Sequence, residues 1–482
     1  MQKLFSKSYR VLLFLGILAV LMRIFSFFNT VIDHDESTYI IIADALRHGQ
    51  VYFRDVIDTK PIGIFILFGI FQAIFGKTIL AIRIISSLWV ALTGWMIYIA
   101  HRKLLEDATG KYNPAPIVSG IIYVILISFY DDYGLSPNTE VFFNLFTIMA
   151  LILILSKDGH IYFFLSGLLL GVGFMIKYVV LFDAFALGIF YIWWQINKGK
   201  VWQFWLIRCI LMGIGFLIPF FIDWIYYKQL GMEEEFIFYS FKLSGLYRME
   251  PGFMAYLNYI MECFYHFLPV SICFFYCLFD WRKVETRISL LTSLWSLMVM
   301  AIILIPGRLF PHYFIQFMIP FSLLAGSFFD PRRSLNRFFS WLRKPVIFFS
   351  LLSILIVANI AVVKAKYFDT IDYPKEVADY LNPRLKEGDK IYTGNYHQII
   401  YHLTGTSSPT PYIHNSLIWM EENNKALRIN QSEELDKILA QNPRFILMRY
   451  PLKENNPLFK PLQTSYFLVK TFGNQVLVFE RK

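Results

Sequence analysis

The chain is short of charge. Only 17% of its 482 residues are Asp, Glu, Lys or Arg, and 56% are hydrophobic. A soluble domain carries roughly 25% charged residues, so the solvent for much of this chain is lipid. Cysteine is scarce as well. Cys209, Cys263, Cys273 and Cys277 all lie in apolar segments, which excludes the disulfide framework of a small secreted domain. Cys273 and Cys277 share a helix face, but no His or acid joins them at zinc-ligand spacing; they read as small buried side chains. There is no RNA- or DNA-reading motif, no internal repeat and no low-complexity linker. The net charge of +10 is spread between apolar runs, which points to cytoplasmic loops and away from nucleic acid. No small-residue cleavage site follows Lys3, Lys7 and Arg10, so the apolar run behind them is expected to be a retained first span.

Long apolar runs are abundant. A bilayer-crossing helix needs about 20 apolar residues. Eleven spans are expected: Val11–Phe28, Ile79–Ala100, Ala115–Phe129, Val141–Leu155, Ile161–Ile176, Val179–Ile196, Trp202–Tyr226, Phe253–Leu278, Ile288–Ile305, Phe314–Phe329 and Val346–Val363. The run Ile62–Phe75 is short and closed by Gly76-Lys77, which suits a re-entrant or interfacial segment. If it does not cross, the clusters Arg102-Lys103-Lys111, Lys157, Lys198-Lys200, Arg282-Lys283-Arg287 and Arg332 to Lys344 all face the cytoplasm, as the positive-inside rule asks. The N-terminus is then cytoplasmic and the C-terminus extracytoplasmic. The expected architecture is a multi-pass α-helical membrane protein with a C-terminal soluble α/β domain on the outer side. Its expected parts are a transmembrane domain over 1–365, with a first outer loop at 29–78, and an outer domain over 366–482. In that tail the patterns predict helices at Pro374–Leu385, Gln398–Leu403 and Ser432–Gln441. Strands are predicted at 389–393 and Arg444–Arg449, with a hairpin of Tyr466–Phe472 and Gln475–Glu480 around Gly473-Asn474.

The strongest local signal is Asp33-His34-Asp35-Glu36, just after the first span. Adjacent carboxylates raise one another's pKa and are costly to assemble. The plain alternative is a solvated loop in which Asp35 caps the next helix. Asp58-Thr59-Lys60-Pro61 follows, directly before the short apolar run. A lysine at a helix start beside a membrane suits a phosphate, because the helix dipole adds to its charge. The alternative is a lysine snorkelling to the interface.

The Asp-Glu pair, Tyr39, Ala43, Gly49, Tyr52, Asp55, Asp58 and Lys60-Pro61 together resemble the first loop of the GT-C glycosyltransferases. The nearest resemblance is to glycosyltransferase family 39, which includes the dolichyl-phosphate-mannose protein mannosyltransferases and the lipid A aminoarabinose transferase. Ser136 to Glu140, Lys177, Gly307-Arg308 and Pro311 to Phe314 extend the likeness over most of the membrane part. The chain departs from it at Lys60-Pro61-Ile62, where many relatives have Lys-Pro-Pro, and at Glu140, where some have Asp.

The resemblance implies an inverting glycosyltransferase at the outer face of the cell (inner or plasma) membrane. It moves a sugar from a polyprenyl-phosphate donor to an acceptor hydroxyl on glycan, lipid or protein. Asp35 is implied as the base, with Glu36 orienting it or touching the acceptor. Lys60, Arg308, His312 and Lys177 are implied around the donor phosphate, and Glu140, Asp58 and Tyr39 around acceptor or sugar. Structural alternatives stand beside these: snorkelling for Arg308, a hydrogen-bonded interfacial ring for His312, a pair with Asp183 or the cap of a short hairpin for Lys177, and a helix-start acid for Glu140. Asp33, His34, Asp35, Glu36 and Glu140 have ligand chemistry for a divalent metal, but their spacing specifies none, and no cofactor is assigned. Glu262 and His266, four apart in an apolar span, receive no role beyond a pair with each other. The rival readings are a transporter or flippase of lipid-linked glycans, a surface anchoring protein that presents the tail, and a glycan polymerase or ligase using a diphosphate-linked donor.

Overall fold

Backbone amides in hydrocarbon have no water to bond, so long apolar runs must satisfy themselves as helices. The computed structural model describes residues 7–105, 112–130, 133–156, 159–246, 248–280, 285–333 and 337–482. Seven helical segments in it are long and apolar enough to cross a membrane: Ser8–Phe27, Ile79–Leu105, Val180–Asn197, Trp202–Gln229, Thr286–Leu304, Pro311–Phe329 and Val346–Leu381. Ala115–Leu126, Thr139–Ile154, His160–Ile176 and Gly63–Phe75 are shorter apolar helices. Every expected span therefore has a helical counterpart, with two differences. The Ala115 helix stops at Leu126, short of Phe129. The stretch Phe253–Leu278 is not one straight helix but two, Phe253–His266 and Leu268–Phe279, bent by 104°. Pro269 explains the break: it has no amide to continue the ladder. Beside the break, the Ser271 hydroxyl lies 2.7 Å from the carbonyl oxygen of Phe264 and 3.1 Å from that of Phe267, to which its single proton can be donated. Of the basic residues assigned to cytoplasmic loops, Lys111, Lys157, Arg282 and Lys283 lie outside the described residues.

By contacts the chain divides into two units. The first comprises Met1–Phe27, Arg83–Gly231 and Arg248–Phe368; the second comprises Phe28–Ile82, Met232–Tyr247 and Asp369–Lys482. This differs from a simple division at 365/366, because the first outer loop and residues 232–247 group with the tail. In the first unit, helices His160–Ile176 and Trp202–Gln229 approach closely through glycine. A Cβ on Gly167 or Gly171 would collide with the carbonyls of Met212 or Phe216, and one on Gly215 with that of Phe164. Small residues allow such approach where lipid offers no hydrophobic drive. Arg23 is buried and donates to Ser87 Oγ at 3.1 Å and to the carbonyls of Ile127, Gly134 and Leu135 at 3.0, 2.8 and 2.7 Å. One guanidinium thus satisfies three carbonyls where the chain turns after Ala115–Leu126.

The second unit is built around a four-stranded sheet of order β1-β2-β4-β3. The strands are β1 (Ile391–Tyr392), β2 (Phe445–Arg449), β3 (Tyr466–Phe472) and β4 (Val476–Arg481). β1 runs parallel to β2, and the other pairs are antiparallel. Successive side chains of a strand point to opposite faces. Accordingly Phe445 and Leu447 pack with Val377, Leu381 and Ile400 on one face, while Ile446 and Met448 pack with Ile438 and Leu462 on the other. The first loop adds the helices His34–Arg47 and Gly63–Phe75, joined through Tyr39, whose ring meets those of Phe65 and Phe68 at 5.9 and 5.3 Å. Backbone bonds from Ile57 N to Pro411 O (2.7 Å) and from Ile413 N to Ile57 O (3.4 Å) tie this loop to the tail segment 411–413.

Replacing Arg23 by Leu leaves its buried carbonyl partners without a donor, which costs on the order of 3 kcal/mol. Thermal unfolding of the purified protein in detergent should show a clear drop in melting temperature. An unchanged melting temperature would remove Arg23 from its structural role.

Candidate functional site

The helix His34–Arg47 starts at Asp33, which has extended backbone angles and accepts from the Asp35 amide at 3.3 Å. Asp33, not Asp35, is therefore the cap, which corrects the plain alternative drawn from sequence. The cap places Asp35 and Glu36 in the first turn, where the helix dipole favours negative charge. Glu36 is buried, so in this conformation its carboxylate faces protein. Asp35 is about one-sixth exposed and meets Lys60, Oδ1 to Nζ, at 2.7 Å. Asp58 Oδ2 lies 3.4 Å from the same nitrogen. Tyr39, one turn after Asp35 and fully buried, donates its hydroxyl to Asp35 Oδ2 at 3.3 Å. It therefore supports the carboxylate from behind. Its ring centroid is 5.4 Å from the Lys60 ammonium. The Tyr52 hydroxyl bonds the carbonyls of Lys60 (2.6 Å) and Asp58 (3.0 Å) and so fixes the backbone that presents both groups.

Three carboxylates here share one lysine. Burial opposes the charge on Lys60, but Asp35, Asp58 and Asp33 together outweigh it and hold its pKa above the ordinary value. Asp33 pays for the crowding: burial, then the charge of Asp35, pushes its pKa up to about 7.

The tail supplies side chains that sequence reasoning missed. His414 Nε2 lies 3.5 Å from Asp35 Oδ1. Gln398 Nε2 donates to His34 O and to Thr38 Oγ1, both at 2.8 Å, while Gln398 Oε1 accepts from His34 Nδ1 at 3.2 Å. Arg449 donates to His34 Nε2 at 2.9 Å. His34 thus gives a proton at one nitrogen and accepts at the other, which defines a neutral ring. Burial agrees, lowering its pKa to about 4. His397 stacks on it at 4.5 Å, and burial lowers that ring to about 3. These residues lie between 360 and 415 positions from their partners, and no periodic pattern marks them.

The remaining candidates belong to the first unit. Lys177 pairs with Glu140, and its ammonium stands 4.3 Å from the Tyr313 ring centroid. Its expected alternative partner, Asp183, instead accepts from Trp295 Nε1 at 2.5 Å and Gln316 Nε2 at 2.6 Å. Glu140 also accepts from Thr139 Oγ1 at 2.9 Å and feels the charge of His312. Arg308 follows Gly307, whose φ of +66° makes the turn. The ring of His312 stacks on Phe310 at 5.5 Å. Glu262 and His266 meet through backbone: His266 Nδ1 donates to the Glu262 carbonyl at 2.8 Å, so the expected pair of side chains is not formed. The structure thus brings Asp35, Tyr39, Asp58 and Lys60 together in one unit and Glu140, Lys177 and His312 in the other. Among the described residues, no cluster of three or more His, Cys, Asp or Glu has the geometry to hold a metal ion.

Asp33 has a raised folded-state pKa, so its folded form binds the proton more tightly than the unfolded form does. Stability from this group is complete below about pH 4 and is lost as pH rises through about 7. Asp33→Asn keeps a good cap and removes the charge. Melting temperatures measured from pH 4 to 8 should fall less steeply in the variant, which should be the more stable protein at pH 8. The same slope in both proteins would contradict the burial of charge at Asp33.

Residues 59–226 match the family described as dolichyl-phosphate-mannose-protein mannosyltransferase. The chain is similar, at 23% identity over 281 residues, to undecaprenyl phosphate-alpha-4-amino-4-deoxy-L-arabinose arabinosyl transferase 1 of Pseudomonas fluorescens (strain Pf0-1). That alignment covers 55% of this chain and 47% of the relative, so the match spans about half of the relative's length. ArnT from Cupriavidus metallidurans, solved bound to undecaprenyl phosphate, superposes with a TM-score of 0.64 at 12% identity over 97% of both chains. The archaeal oligosaccharyltransferase AglB from Archaeoglobus fulgidus, solved with an inhibitory peptide and a dolichol-phosphate, superposes with a TM-score of 0.51 at 12% identity. It covers 93% of this chain and 70% of that one. At these identities the likeness to solved structures is one of fold.

Proposed function

We propose that this chain is a glycosyltransferase of the GT-C type that moves a sugar from a polyprenyl-phosphate donor to an acceptor hydroxyl, with inversion at the anomeric carbon, a reading supported by the family match, the curated relative and the shared fold. The observation that carries the reading is the partly exposed pair of Asp35 and Lys60, held 2.7 Å apart at the head of two helices. The donor class follows from the relatives: the arabinosyl transferase is named for an undecaprenyl phosphate substrate, and the two solved neighbours hold undecaprenyl phosphate and dolichol-phosphate.

In this reading Asp35 takes the proton from the acceptor hydroxyl as its oxygen attacks the anomeric carbon. The bond to the lipid phosphate breaks on the opposite face, and the electron pair leaves on phosphate oxygen. Lys60 meets that growing charge, helped by the N-terminus of the helix Gly63–Phe75. Resting Lys60 is paired with Asp35, so an arriving phosphate exchanges one anion for another on the lysine. Once Asp35 is protonated, Lys60 loses its resting partner just as the phosphate needs a cation. Asp58 holds the lysine in place during the exchange. Glu140, Lys177, Arg308 and His312 are proposed to serve acceptor and donor recognition, and no metal is given a role. The chain is proposed to lie in the inner or plasma membrane with its N-terminus cytoplasmic and its C-terminal domain outside; Gly63–Phe75 does not cross.

Asp35→Asn should lower transfer at least about a hundredfold in correctly folded protein. Full activity in that purified variant refutes the base. Lys60→Ala should lower the rate comparably, and Lys60→Arg should keep part of it. Chelation by EDTA should leave the rate unchanged, whereas a loss restored by added divalent cation contradicts the metal-free reading. A reporter fused after Lys482 should be active only outside; a cytoplasmic signal overturns the topology.

A further inference from the structure

Resting on the reading of Asp35 as base, we propose that His414 of the C-terminal domain is a positioning residue for Asp35, its Nε2–H completing the set of donors that orients the carboxylate. The tautomer follows from its other nitrogen. The Ser416 backbone amide points at His414 Nδ1 from 3.2 Å, and the Ser416 hydroxyl lies 2.7 Å from the same atom. A backbone amide only donates, so Nδ1 is an acceptor and the ring proton sits on Nε2. That nitrogen is 3.5 Å from Asp35 Oδ1, the oxygen that Lys60 also holds. The spacing is at the long end for a hydrogen bond, and a small rotation of either side chain brings the two atoms into bonding range.

The backbone shows why this side chain reaches the base. Ile57 exchanges hydrogen bonds with Pro411 and Ile413. On one strand of this short bridge the next residues lead to Asp58 and Lys60; on the other, His414 follows Ile413. One pairing of two chain segments therefore sets both the ammonium and the imidazole against Asp35. Thr410 Oγ1 anchors the tail segment to Glu434 Oε1 at 2.6 Å.

His414 orients and does not relay the proton. A second proton would have to enter at Nδ1, against the Ser416 amide. Burial and the Lys60 charge also disfavour the cation, opposed by Asp35 and Asp58, and the balance lies below the ordinary histidine value. The charged and titratable groups around Asp35 are then Asp33, Glu36 and Tyr39 from its own helix and cap, His34 beside it, Asp58 and Lys60 from the first loop, and His414 from the tail.

The test uses full-length protein labelled with 15N-histidine in lipid nanodiscs. The signals lost in His414→Gln identify this ring. They should report a neutral Nε2–H tautomer at pH 7 and should move in Asp35→Asn. A protonated ring, the Nδ1–H tautomer, or signals indifferent to Asp35→Asn overturn the proposal, whether or not any sugar is transferred. In transfer assays with undecaprenyl-phosphate aminoarabinose as the probe donor, His414→Ala should lower kcat about tenfold with KM for donor unchanged. It should also move the acid limb of the pH profile to higher pH. His414→Gln, which restores an N–H at the same reach, should recover most of the rate. A wild-type kcat and pH profile in His414→Ala defeats the positioning role while leaving the Asp35 reading intact. Full transfer by Asp35→Asn defeats that reading instead, and with it any role for His414 in supporting a base.

Discussion

The ion pair of Asp35 with Lys60 is the interaction on which the proposed site depends. A carboxylate and an ammonium at 2.7 Å, both mostly withdrawn from water, are stable only because neighbours complete their needs. Asp58 adds a second anion to the lysine, Tyr39 donates to the carboxylate, and Tyr52 pins the backbone that carries Asp58 and Lys60. Much of the second unit's architecture serves this point. The helix His34–Arg47 begins at the acids, and the helix Gly63–Phe75 begins just after the lysine. Aromatic packing of Tyr39 on Phe65 and Phe68 sets the two helices against each other. The arrangement suits displacement at a sugar phosphate, since the pair separates into a base for one oxygen and a counter-ion for another.

The C-terminal domain is part of this arrangement. Its sheet is covered on both faces by apolar residues from the helices around it. From that frame extend Gln398, Arg449 and His414, each bonded to or facing the helix that starts with the acids. The neutral ring of His34 forms the seam, donating to Gln398 and accepting from Arg449. Residues 232–247 join the same unit, with Leu243 packed on Leu417 and the Tyr239 ring stacked on Phe53 at 5.1 Å.

Legibility in the sequence followed the range of the forces. The spans were readable because a membrane helix satisfies its own backbone, and the central strand of the tail because a short continuous apolar run marks a strand covered on both faces. The hairpin at Gly473-Asn474 was readable from its turn residues, and Gly473 indeed has a positive φ of 52°. Asp35 and Lys60 were picked out by residue type and by resemblance, and the structure places them in contact. Less was legible where partners are distant. Pro269 stood in view, yet a proline near a helix start does not by itself tell a 104° bend from a mild kink, and the pattern of apolar residues does not encode the angle. From sequence, the expected structural partner of Lys177 was Asp183, not Glu140. Only the fold shows that Trp295 and Gln316 already occupy Asp183. His414 carried no signal, because its significance lies in a two-segment pairing across more than 350 residues.

The lipid that stays bound to the protein reports most directly on the central claim, that Lys60 receives a prenyl monophosphate. Native mass spectrometry of the wild-type protein and Lys60→Ala, each purified in mild detergent, should find a polyprenyl phosphate or its monophosphate-linked sugar with the wild type and little or none with the variant. A diphosphate-linked glycan, or equal retention of the monophosphate lipid by both proteins, would contradict the account.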